Sequence, residues 1–212
     1  MDIVKLPKIL INKLVESENF LEEIENSDLI ENKIIKNIDN ENIEFYDIKF
    51  ENTVFNTTNI INSKLEKNVF SDVQFINCNF SNTSFENSSF VRCEFNNCKI
   101  TGCSFIDARL YNTTIKDSNA NYINFSTASL ENILFENTIL RNGTFQENRL
   151  KNIYFEKADL MQTQFFKTSL KNIDLSDSNI EGIAISIEDI KGAIINQFRA
   201  VDLLYLIGVK IK

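Results

Sequence analysis

Four cysteines, Cys78, Cys93, Cys98 and Cys103, are the side chains of this sequence best equipped for chemistry. As a group they could hold a metal or exchange electrons. Zinc, however, calls for C-x-x-C pairs or histidine partners. None of the four stands in such a pair, and the 212-residue chain has no histidine. Cysteine is also a small apolar residue that cores use freely, and that role is expected here. The carboxylates are the second candidates. Glu136 and Glu156, 20 residues apart, could imitate an acid–base pair. Yet the chain offers no glycine-rich phosphate loop and no activated nucleophile, and its carboxylates are spread along the sequence. An enzyme is therefore not expected, and no catalytic, cofactor-binding or metal-binding residue is assigned.

The element that must position these residues shows itself in FINCNFSNTSFENSSFVRCEFNNCKI, residues 75–100. Large apolar residues stand at every fifth place: Phe75, Phe80, Phe85, Phe90, Phe95 and Ile100. Neither the 3.6-residue period of a helix nor the two-residue period of a strand produces five. The register runs from Phe45 to Ile185 without insertion, and only Ala120 lacks a large apolar centre. Two places before the centre the residue is usually small or apolar, as at Cys78, Thr83, Ser88, Cys93, Cys98, Cys103 and Ala108. Two places after it Asn recurs, as at Asn52, Asn62, Asn77, Asn82, Asn87 and Asn97. Asn tolerates positive φ, so each unit reads as a short extended piece followed by a tight corner. Four such sides close a square coil of about 20 residues.

The pattern resembles the pentapeptide-repeat family, whose small–polar–Leu/Phe–x–x signature is matched by CNFSN, TSFEN, SSFVR, CEFNN and ADLMQ. The fold this implies is an all-β solenoid, a right-handed quadrilateral β-helix. About seven coils are expected, with backbone hydrogen bonds running between coils at about 4.8 Å. The division expected is an N-terminal cap over residues 1–40, the β-helix over 41–185, and a short C-terminal α-helix with a dimerisation tail over 186–212. Phe85, Phe105, Phe125, Phe145 and Phe165 should form one inward stack, with Leu110, Leu130, Leu150 and Leu170 on another side. Ala120 should leave a void or a pinched coil.

A 20-residue coil also sorts the charges. The side with centres 50 to 170 carries Lys49, Arg92, Arg109, Arg149, Lys151 and Lys171 against Glu51, Asp72 and Glu131. The next side carries Glu94, Asp117, Glu136, Glu156, Asp174 and Asp177 against Lys116 and Lys157. These six acids form the candidate partner-binding face. The formal charge of −8 argues against nucleic acid as a direct ligand, because phosphate binding needs a basic footprint. No apolar run approaches the roughly 18–20 residues of a membrane span. The opening MDIVKLPKILINKLVESENF lacks a signal-peptide pattern. With free thiols, a reducing, cytoplasmic location is expected.

The two ends leave the period. Residues 187–212, IEDIKGAIINQFRAVDLLYLIGVKIK, place Asn196 as a helix N-cap and Gly208 as a stop. One face can cover the last coil. The surplus apolar residues Phe198, Val201, Leu204, Tyr205, Ile207, Val209 and Ile211 suggest pairing with a second copy. The tail is similar to that of the quinolone-resistance (Qnr) branch of the family. The shared residues are Asp189, Ile190 and Gly192, then Leu204, Ile207, Gly208 and Val209. That resemblance implies a twofold, tail-to-tail homodimer that imitates the charge and width of duplex DNA. Such rods bind the type II topoisomerases DNA gyrase and topoisomerase IV and relieve quinolone poisoning. Two features depart from the branch: the register has no inserted loop, and one side is basic. The alternative is a dimeric scaffold for another protein, with no topoisomerase role.

Overall fold

The structure, a computed structural model, describes residues 4–209. It is a parallel β-solenoid whose coils stack with a 20-residue repeat: Phe70 lies over Phe50 and under Phe90, and Phe75 lies between Phe55 and Phe95. Two of the four sides are built from continuous eight-residue strands, Lys49–Asn56, Val69–Ile76, Ser89–Asn96, Arg109–Lys116, Ser129–Glu136 and Arg149–Glu156. Each of these strands runs through a corner and covers two sides. The other two sides are held mainly by single bridges such as Asn79↔Lys99 and Ser84↔Ser104. Their corners are closed by turns in which the centre's carbonyl accepts the N–H three residues on, as in Thr83 N–H to Phe80 O (3.0 Å).

The corners explain the recurrent Asn. The residue two places after each centre takes positive φ, from Asn32 (57°) through Asn82 (57°) to Asn172 (64°). Asn accepts this conformation at little cost, whereas other L-residues lose about 1–2 kcal/mol. The chain nonetheless sets Tyr122 there at 58° and Arg92 at 52°. The small inward position does a second job: its hydroxyl or thiol donates to a carbonyl of the coil below. Thr83 Oγ1 donates to Ile60 O (2.8 Å), Thr163 Oγ1 to Leu140 O (2.8 Å) and Cys103 Sγ to Phe80 O (2.8 Å).

Inside, the centres form columns. Phe85, Phe105, Phe125, Phe145 and Phe165 stack with centroid spacings of 5.1, 5.1, 5.1 and 5.0 Å. Each fully buried Phe or Leu contributes about 1.5–3 kcal/mol, so these columns hold the rod together. At Ala120 the ladder passes without a break: Lys99↔Asn119 and Asn119↔Ile139 both pair. Volume is recovered close by, where buried Ile123 occupies an inward small position and Gly143 stacks above it. A Cβ on Gly143 would lie 2.9 Å from Leu140 O and 3.4 Å from Ile123 Cγ2.

Two expectations need correction. The solenoid has about nine turns rather than seven. The period continues beyond both expected limits: Ile30 pairs with Phe50 and Ile35 with Phe55, while Ile190 and Ile195 pack on the last coils. The tail over Ala200–Ile207 winds as a 3-10 helix, and an α-helical turn precedes it at Ile187–Ile190. A 3-10 helix eclipses residues three apart, which turns both Leu203 and Leu206 onto the core. Gly208 stops it in the left-handed conformation at φ 75°. Asn196 Oδ1 accepts from the amides of Phe198 and Arg199, both at 2.9 Å, and so caps the turn that leads in.

At the other end, the helix Phe20–Asn26 is capped by Asn19, whose side chain accepts from the Glu22 amide. Phe20 drives into the first coil, edge-on to Phe45 and Phe55 at 5.9 and 6.0 Å.

Candidate functional site

The six acids of the candidate face occupy one side and its adjoining corner, but they differ in access. Glu94 is only 6% exposed. It takes an ion pair from Lys116 (2.7 Å) and a hydrogen bond from Gln74 Nε2 (2.9 Å). The Glu94 hydrogen bond in turn raises the Lys116 ammonium above its ordinary pKa. Strand pairing then stacks Lys116, Glu136 and Glu156 in successive coils. Glu136 and Glu156 are half-buried, and Asp117, Asp174 and Asp177 are exposed. Glu156, Asp174 and Asp177 line one shallow depression with Tyr154 and Ser176. Available negative charge is therefore concentrated from residue 117 onward, towards the C-terminal end. Like charges one coil apart repel, so a cation beside the Glu136–Glu156 step is favoured.

The neighbouring side is less basic than its composition suggests. Lys49 pairs with Glu51 (2.6 Å), Arg92 with Asp72 (2.5 Å) and Lys151 with Glu131 (2.7 Å). Among the described residues Arg109, Arg149 and Lys171 make no ion pair. Burial opposes ionisation of Asp72, but hydrogen bonds from Arg92 and from the Lys8 amide outweigh it and hold its carboxyl below the usual range.

The four cysteines are buried and free. Cys98 stacks over Cys78, and burial pushes the Cys98 thiol well up. Burial likewise pushes Cys93 and Cys103 up to about 12. Cys93, Cys98 and Cys103, held protonated inside the core, are therefore poor nucleophiles. Among the described residues, no cluster of three or more His, Cys, Asp or Glu is placed to hold a metal ion. No described helix is long and apolar enough to cross a membrane.

At the C-terminal end, Phe198 is 77% and Ile207 66% exposed. Val201, Tyr205 and Val209 are also exposed, while Leu204 is half-buried. Ile187 and Ile194, which sit just before the tail's own pattern begins, are exposed as well. Tyr205 donates its hydroxyl to Ile183 O, which ties the tail to the last coil. Ile211 lies outside the described residues.

A four-sided parallel coil with a five-residue unit and positive-φ corners defines a solenoid class. Residues 69–140 and 88–165 match the family model of the pentapeptide repeat region, so this part of the chain is a pentapeptide-repeat region. Among solved structures it is similar to a trypsin-treated variant of QnrB1, a plasmid-mediated fluoroquinolone resistance protein. That likeness has 21% identity over 98% of this chain and 99% of that one, with a TM-score of 0.42. Full-length QnrB1 is 20% identical over 84% of this chain and 91% of its own, with a TM-score of 0.42. HetL, involved in heterocyst differentiation regulation in the cyanobacterium Nostoc sp. strain PCC 7120, is 12% identical. It covers 75% of this chain and 87% of its own, with a TM-score of 0.33. No curated protein sequence matches the chain.

Proposed function

We propose that the protein is a non-enzymatic, homodimeric binding rod whose acidic side engages a protein partner. The observation that carries this reading is the open C-terminal end, where Phe198, Val201, Tyr205, Ile207 and Val209 lie exposed beside a core that needs covering. A second copy meeting the same surface about a twofold axis covers both ends at once and closes the assembly. In that arrangement the two runs Asp117, Glu136, Glu156, Asp174 and Asp177 lie next to the junction and merge into one central acidic stretch. A cationic protein surface is the partner such a stretch fits.

A type II topoisomerase, DNA gyrase or topoisomerase IV, is the partner to test first. Its DNA-binding surface must be cationic, and the tail residues Asp189, Ile190, Gly192, Leu204, Ile207, Gly208 and Val209 resemble those of the Qnr branch. The test is a supercoiling and cleavage assay of gyrase, with and without a fluoroquinolone, titrating this protein. Inhibition or quinolone rescue at low micromolar concentration, weakened by salt and by Glu136→Lys with Glu156→Lys, supports topoisomerase modulation. No effect in either mode overturns it and leaves a dimeric scaffold for another protein.

A further inference from the structure

Residues 4–10 belong to no coil, yet they lie along the rod. The Leu10 amide donates to Asn52 Oδ1 (2.7 Å), the Lys8 amide to Asp72 Oδ1 (2.8 Å), and the Lys5 amide reaches Asn112 Oδ1 (3.5 Å). All three acceptors stand in one corner column, the one through which the long strands pass. Within that column Asn52 spends its Nδ2 on Asn32, and Asn132 donates to Asn112. Asn52 Oδ1 is thereby turned to the segment. The rung between Asp72 and Asn112 is Arg92, which offers donors and no acceptor. Between Lys5 and Lys8 the segment carries Pro7, which has no N–H to satisfy. Three backbone amides of the segment thus find acceptors in one corner column.

The side chains of the segment bear on the acidic side. Val4 is buried, and Val4, Lys5, Leu6 and Lys8 line a groove of about 540 Å³ with Glu94, Leu134, Glu136 and Glu156. Leu6, Leu10 and Ile11 are exposed, so the segment is held by one buried side chain and a few hydrogen bonds. Such a unit opens locally far more readily than a stacked coil.

We infer that this corner is a docking groove for an extended, lysine-bearing polypeptide segment, with residues 4–10 as its resting occupant. A partner that binds beside Glu136 and Glu156 must then release the strap, a consequence that rests on the acidic side being the partner surface.

The test uses a fluorescent peptide of residues 4–12, VKLPKILIN, added to the full chain, with circular dichroism confirming the coil. Val4→Asp should expel the strap, so the variant should bind the peptide at least tenfold more tightly than the unaltered chain. Lys8→Pro, which removes the amide that Asp72 accepts, should act in the same direction. Adding Asp72→Gly, which keeps the positive-φ corner, should abolish the gain. Equal binding by the unaltered chain and both strap variants, or binding indifferent to Asp72→Gly or matched by a scrambled peptide, would overturn the inference. If the strap variants open the groove while gyrase is unaffected by the protein, only the topoisomerase reading falls.

Discussion

The two ends of the rod solve the same problem in opposite ways. At the N-terminal end Phe20 is 1% exposed, wedged among Phe45, Phe50 and Phe55, and the first coil is closed by the chain itself. At the C-terminal end Leu203 and Leu206 turn inward, but Phe198, Val201 and Ile207 face out. Every coil of a solenoid borrows its stability from its neighbours, so an unfinished end is an adhesive surface. On the proposed reading, one closed end and one open end would restrict growth to a pair. Two open ends would make a filament, and two closed ends a monomer.

The largest expected effect separates the ends directly. Phe20→Ala removes a buried ring from a packed cluster and should cost about 3–5 kcal/mol in chemical denaturation. Phe198→Ala should leave the unfolding of the isolated chain almost unchanged. Equal losses at both positions would show that the C-terminal end is packed within the monomer. Next, Phe198→Asp combined with Ile207→Asp should shift the dimer to monomer at micromolar concentration while the far-ultraviolet circular dichroism is kept. A dimer that survives this pair of charges would place the interface elsewhere.

The middle of the rod supplies the reference for both ends. Cys93 and Cys103, with thiols near 12, should resist alkylation at pH 8 until the chain unfolds globally. Labelling at low denaturant, before the main transition, would show that fraying from an end reaches the centre. The smallest effect belongs to Tyr122, 62% exposed at φ 58°. Tyr122→Asn should raise stability by about 1 kcal/mol or less, because Asn tolerates that backbone better. Destabilisation would mean that the ring's outward contacts outweigh the strain.

Much of this architecture was legible because five-residue periodicity converts directly into geometry. Phe85 and Phe105 had to stack once the coil held 20 residues, and Asn82 had to turn the corner. The extra turns were legible as well: Ile30 with Asn32, and Ile35 with Asn37, carry the same centre-and-corner pair. The acidic run around them masks it in the sequence. The candidate site was legible only in part. Periodicity assigns Glu94 and Glu136 to one side but says nothing about what lies over them. The partnership of Glu94 with Lys116 and Gln74, and the strap from residues 4–10, depend on contacts between segments far apart in sequence. The 3-10 winding of the tail was hidden for a related reason. Its three-residue spacing of Leu203 and Leu206 matters only once the last coil is there to receive both.

Sedimentation equilibrium of the full chain over a wide concentration range tests the central claim most directly. A closed end opposite an open one predicts a monomer–dimer equilibrium that stops at twice the chain mass. A monomer at all concentrations, or growth past the dimer into longer rods, would contradict it.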